Sequence, residues 1–191
     1  MKKIAILSLF AVLAFDSFSQ NLVQSNELVN QNGIYRMREG KEPFTGASYQ
    51  LNHKGDTIMY KEYLDGKQHG VDIFFYNNKQ KKTEKHFQNG KLHGKFTEWT
   101  VMGKLSKEID YVDGKMHGKE IRYYGHGKKQ LEYTYDMEEY HGPMKTWYNS
   151  GQLKHESNGK SGKLHGKFVS YDEEGEVTYE AEYNEGQAVQ K

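Results

Sequence analysis

The chain contains no cysteine and only two prolines, and its hydrophobic fraction is 35%. Without cysteine there can be no disulfide, no thiol nucleophile, no Cys-ligated zinc and no lipoprotein-type acylation. A mean hydropathy of −0.97 leaves little material for a thick core. No apolar run reaches the ~20 residues that a helix needs to cross a bilayer. An excess of one charge is also missing, with 27 Lys and Arg against 26 Asp and Glu. Overall charge therefore favours neither nucleic acid nor an anionic membrane as partner, and no nucleic-acid binding is expected. What the chain does have is aromatic residues, 14% of the total with 15 tyrosines. Disordered chains are poor in such residues. A folded protein with a thin core built from rings is expected.

The first residues have the form of a targeting signal. Lys2 and Lys3 precede the apolar run from Ile4 to Phe15, and Ser17 and Ser19 supply small residues at the cleavage positions. Such a run suits a signal-peptide core. Residues 1–19 are expected to be removed after Ser19, leaving Gln20 first and an exported protein, periplasmic or extracellular. Loss of Lys2, Lys3 and Asp16 makes the mature chain neutral. A polar segment, 20–39, follows.

Periodicity governs the remainder. His69-Gly70, His93-Gly94, His117-Gly118, His141-Gly142 and His165-Gly166 recur every 24 residues, and Thr45-Gly46 opens the series. Six positions after each stand Leu51, Phe75, Trp99, Tyr123, Trp147 and Tyr171. A glycine column runs through Gly55, Gly103, Gly127, Gly151 and Gly175, with Lys79 in the second unit. A further column holds Tyr63, Phe87, Tyr111, Tyr135, Gly159 and Tyr183. Six units, starting near 45, 69, 93, 117, 141 and 165, fill a domain from 40 to 191.

Each unit has the alternation of two strands, and helical spacing is absent. Even positions after the histidine carry Ile73, Ile121, Val169 and the aromatic column in the first strand, and Leu105, Ile109, Leu131 and Tyr135 in the second. Odd positions include a glutamate column, Glu84, Glu108, Glu132, Glu156 and Glu180. One apolar face and one wet face are expected, as in an antiparallel sheet. Asp65-Gly66, Asn89-Gly90 and Asp113-Gly114 suit type I′ turns. The fold class is all-β, an elongated array of antiparallel hairpins, spanning roughly 60 Å at about 4.8 Å per strand.

The segments GKLHGKFTEW, GKMHGKEIRYY and GKLHGKFVSYDEEG resemble bacterial MORN repeats of the variant type, and the chain looks similar to YwqK-like, antitoxin-type members. KEPFTG at 41–46 resembles the entry to their first repeat. The resemblance implies an elongated twisted sheet that binds or scaffolds, with lipid contact for some members and no catalytic residues. The unit from Met137 departs from the pattern: Met137-Glu138-Glu139-Tyr140 replaces the usual turn, and Gly159 stands in the tyrosine column.

Several constellations call for a chemical reading. Histidines one unit apart would be about 9.5 Å from each other, too far to share a zinc that holds each nitrogen at ~2.0–2.1 Å. They are expected to cap turns, stack on rings and bond the backbone. In-line glutamates do not make a glycosidase pair in a pocket. Ser157-x-x-Lys160 lacks the helix that its motif requires. No metal, cofactor or enzymatic activity is expected. Phe75, Trp99, Tyr123, Trp147 and Tyr171 are expected to join neighbouring units and to leave ring edges for a partner. Lys67, Lys91, Lys95, Lys115, Lys119, Lys163 and Lys167 gather along one hairpin edge, which discourages aggregation and offers a strip for anions. The expected function is an exported binding or scaffold protein that meets a protein partner through the aromatic face or a hairpin edge. The alternatives are an antitoxin or immunity protein and a weak anionic-lipid binder.

Overall fold

Alternating side chains and recurring reversals make each unit a hairpin, and the hairpins pair in sequence. The computed structural model describes residues 21–189, so the expected signal peptide lies outside the described residues. The N-terminal strands are β1 (Leu22–Gln24), β2 (Leu28–Gln31) and β3 (Ile34–Met37), with one 3-10 turn at Ser25–Glu27. The array begins with β4 (Gly46–Leu51), β5 (Thr57–Leu64), β6 (Lys67–Phe75) and β7 (Lys81–Gln88). It continues through β8 (Lys91–Leu92), β9 (Gly94–Trp99), β10 (Leu105–Val112), β11 (Lys115–Tyr123) and β12 (Lys129–Asp136). The remaining strands are β13 (Glu139–Trp147), β14 (Leu153–Lys160), β15 (Lys163–Leu164), β16 (Gly166–Tyr171), β17 (Val177–Asn184) and β18 (Gln187–Ala188).

Sixteen of these strands form one sheet in nearly sequential order, and β2 and β3 form a second. Pairing in the large sheet is antiparallel except for β1, which lies parallel to β4. No described helix is long and apolar enough to cross a membrane.

The hairpin turns have the chemistry expected of them. Asp65-Gly66, Asn89-Gly90 and Asp113-Gly114 all hold positive φ at both residues. Met137-Glu138 adopts the same conformation at φ 49° and 77°, without a glycine. The departing unit keeps its turn at the cost of two strained residues. At the other edge, three-residue loops end on the glycine column in the left-handed region, and Lys79 joins it at φ 69°. Tyr76 N–H bonds Gln80 C=O across such a loop, the geometry of a hairpin closed by a bulge.

Both edges are laced along the array. Turn amides Gly90, Gly114 and Gly186 donate to Gln68, Leu92 and Leu164 of the preceding unit. On the opposite edge, the Tyr76, Tyr124 and Tyr148 hydroxyls donate to the carbonyls of Trp99, Trp147 and Tyr171.

Burial is concentrated at one end. Leu28, Phe44 and Tyr63 form a buried cluster that Val23, Tyr35 and Met37 complete. The segment read as a polar lead is thus folded, and its hairpin covers the first unit.

The two faces differ from the expected pattern. Trp99 opposes Leu105, but Glu98 opposes Lys107 and Thr97 opposes Glu108. One extra residue in the second strand shifts the register there, and a one-residue slip moves every later side chain to the other face. The glutamate column therefore shares a face with the aromatic column, and the sheet has no purely wet side.

Candidate functional site

The first face carries a repeated aromatic–carboxylate arrangement. Tyr123 Oη donates to Glu108 at 2.7 Å, and Tyr171 Oη donates to Glu156 at 2.7 Å. Where the column holds tryptophan, the partner changes. Lys81 lies 5.7 Å from the Trp99 ring centroid and pairs with Glu84, and Lys129 lies 5.6 Å from that of Trp147 and pairs with Glu132. The residue that supplies those lysines is Leu105 or Leu153 in the units preceding the tyrosines. Each of these four glutamates thus meets either a phenol or an ammonium that is also in cation–π range of a ring. The five column rings from Phe75 to Tyr171 are half-buried. They contribute to packing and keep an accessible surface.

These contacts set the charges. Glu84 is pushed down to about 2, first by its hydrogen bond from His86, against partial burial and with help from Lys81. Glu132 is lowered by hydrogen bonds from Lys119 and Lys129. Tyr123 is pushed up to about 12 by loss of solvent and by Glu108. Glu84 and Glu132 are thereby held ionised, and Tyr123 and Tyr171 are held protonated as donors, near neutral pH.

The expected seven-lysine strip divides in two. Lys95, Lys119 and Lys167 are paired with Asp110 at 2.9 Å, Glu132 at 2.7 Å and Glu180 at 3.0 Å. Lys67, Lys91, Lys115 and Lys163 are exposed at the turns, with no ion pair to any described residue. A Cβ added at Gly90 or Gly114 would lie 3.8 Å or 3.9 Å from the Lys67 or Lys91 Cβ. The stems rest on the next turn and hold these lysines in file.

His69, His117 and His141 lie within strands, His93 and His165 stand in one-residue breaks between strands, and His93 Nδ1 accepts the N–H of turn residue Asp113 at 3.5 Å. Tyr63 opposes Gln68 and Lys61 opposes Asp72, so His69-Gly70 forms a bulge facing Glu62. The glycines adopt positive φ there, from 81° at Gly166 to 103° at Gly118. Opening the ladder exposes the next amide, and an acid takes it: Val71 N–H donates to Glu62 at 2.8 Å, and Lys119 N–H to Asp110 at 3.1 Å. Pro143 has no N–H to offer at the equivalent position, and Thr134 Oγ1 donates to its carbonyl instead. The sequence reading missed this acid position. Its signal was Glu62 and Asp110 at the same place in their units, replaced by Thr134 before the proline. His117 Nδ1 lies 3.1 Å from Asp136, and His93 Nδ1 lies 3.5 Å from Asp113. Among the described residues, no three His, Asp or Glu side chains converge as a metal site.

The second face holds the tyrosine column and is interrupted once. Gly159 is buried under Tyr140, whose Cβ would lie 2.7 Å from a Cβ at 159. Tyr140 turns into the space of the missing ring and meets Tyr133 and Tyr135 at centroid distances of 5.6 Å and 5.0 Å. Beside it opens a hollow of about 320 Å³, lined among others by Tyr133, Tyr140, Met144, Ser157 and Phe168.

Residues 116–137, 140–161 and 164–185 match the MORN repeat variant family. These are three consecutive units of the array. The match concerns the repeat type and does not extend to the YwqK-like group. No curated protein matches the chain. A solved structure of an S. aureus TarM mutant in complex with Fondaparinux, alpha-GlcNAc-glycerol and UDP resembles 50% of this chain at 13% identity and a TM-score of 0.33. The likeness covers 19% of that protein, so this chain spans about a fifth of its length, and at this score it carries no argument.

Proposed function

We propose that the protein is an exported, non-enzymatic binding or scaffold protein whose sheet meets a protein partner. The single-layer sheet carries the reading. Apart from the N-terminal cluster, the described buried apolar residues are scattered singly, as at Ile73, Ile109 and Val169. A one-layer sheet presents two long faces bearing rings, the residue type enriched at recognition surfaces. MORN repeats often mediate protein or membrane interactions, which agrees with this.

Two measurements test the proposal. Intact mass of the protein from its native host should show a chain beginning at Gln20, and a dominant full-length cytoplasmic form would remove export. Envelope extract passed over the immobilised protein should yield a partner that Trp99→Ala and Trp147→Ala lose together. Equal capture by wild type and variants would move recognition off the first face. The antitoxin and anionic-lipid readings rest on the family resemblance and on the four free turn lysines, respectively.

A further inference from the structure

We propose that the hollow on the second face is a binding site for a small, uncharged aromatic molecule carrying one hydroxyl. This goes beyond the scaffold reading and does not depend on which protein the array meets. The argument begins with the repeat pattern. Neighbouring units fill this face with two large residues in succession, Ile109 with Tyr111 and Tyr133 with Tyr135. The fifth unit places Ser157 and Gly159 there, and the array loses two side chains at one point while the ladder keeps register from Gly142 opposite Gly159 to Thr146 opposite His155.

Elsewhere such a deletion is compensated by collapse, and here the collapse is incomplete. Tyr140 occupies the space over Gly159, yet about 320 Å³ remains. That volume stands at the lower end of the ~300–1,000 Å³ range of small-molecule pockets. It suits one substituted ring. The walls are the Tyr133, Tyr140 and Phe168 rings with Met144 and Leu164. Aromatic and sulfur-bearing walls favour a ring over an aliphatic occupant.

The wall also carries polar groups. Ser157 Oγ lines the hollow where the preceding units place Ile109 and Tyr133, and it is a hydroxyl that an occupant can reach. An occupant's own hydroxyl gains one hydrogen bond there. His155 completes that side, with Nδ1 held at 2.9 Å by Ser170 Oγ and its ring stacked on Phe168 at 5.7 Å. Burial lowers its pKa, with Lys154 adding to the effect, so the imidazole stays neutral. No carboxylate and no lysine lines the hollow. Nothing there compensates an ionic ligand, and the occupant is accordingly neutral.

The test uses the mature protein with p-cresol and toluene as probes, followed by the methyl resonance of Met144. A saturable shift with p-cresol is expected, with toluene binding roughly 3–10-fold more weakly for want of one hydrogen bond. Ser157→Ala should bring the two probes to equal affinity without loss of fold. Ser157→Ile, which supplies the side chain found at Ile109, should weaken p-cresol at least about tenfold by filling the space, with the melting midpoint kept or raised. No saturable response at Met144, or binding of p-cresol unchanged in both variants, would overturn the proposal. Capture of a tyrosine-bearing peptide without any response to p-cresol would also overturn it, since the occupant would then be a protein segment.

Discussion

Tyr123 reaches back fifteen residues to Glu108 and donates its hydroxyl hydrogen across 2.7 Å, joining two successive units through their side chains. Tyr171 and Glu156 repeat the contact two units later, while the tryptophan unit between them uses Lys129 with Glu132. The array therefore alternates with a period of two units. Tyr123→Phe should cost about 1 kcal/mol in urea unfolding, the value of a hydrogen bond to a partly solvated charge. Adding Leu105→Lys to Tyr123→Trp should recover stability relative to Tyr123→Trp alone. A double-mutant cycle with no coupling between positions 105 and 123 would show the alternation to be incidental.

Glu138 occupies a left-handed position that glycine holds in the equivalent turns at 66, 90, 114, 162 and 186. Glu138→Gly should stabilise the protein by about 1 kcal/mol by relieving that strain. Gly114→Glu should cost a similar amount. Denaturation midpoints read both effects, and a destabilised Glu138→Gly would mean that the glutamate makes a contact worth more than its backbone strain.

Glu84 yields a pH dependence. Its folded value of about 2 lies below the ordinary 4.5, chiefly through His86. A depressed carboxylate contributes stability that is fully present above about pH 4.5 and fades as pH falls towards 2. Glu84→Gln should therefore lower the melting midpoint at pH 6, and the difference from wild type should close near pH 2. A constant difference across that window would remove Glu84 as its source.

The turn lysines predict weak, salt-sensitive affinity for anionic vesicles, worth about 1 kcal/mol per contacting charge. Lys91→Glu with Lys115→Glu should abolish it and leave the melting midpoint nearly unchanged. Lys95→Glu with Lys119→Glu should instead destabilise the fold, because both side chains neutralise acids on the first face. Tight binding that survives the first pair of changes and physiological salt would place lipid contact elsewhere.

Much of this architecture can be read in the sequence, because two features repeat that physics makes unambiguous. Positive φ at both centres of a two-residue turn favours Asp-Gly or Asn-Gly, and the fixed interval ties every hairpin to the next. The faces were not legible, since parity assumes one residue per pleat. An extra residue in the bulge between Leu105 and Lys107 inverts that parity and leaves no trace in hydrophobicity. The lysine strip was misjudged for the same reason: once Glu132 moved to the face of Lys119, that lysine had a partner. The N-terminal hairpin escaped notice because Leu28, Phe44 and Tyr63 lie far apart in sequence and meet only when the first unit closes. Gly159 was visible as an irregularity, but the space beside it depends on how Tyr140 turns.

The N-terminal hairpin also makes the two ends of the array unlike. Leu28 and Phe44 seal one end, whereas Val177, Tyr179 and Val189 at the other are 55%, 49% and 49% exposed. In a chain of nearest-neighbour units, thermal opening starts where the terminal contacts are poorest. The sheet behaves like a zip sewn at its first tooth: amides of β17 should exchange with solvent first, those of β14 later, and those of β5 last. A partner that grips the later units would arrest this unravelling, so the free and bound proteins would differ most in lifetime at the end farthest from the seal.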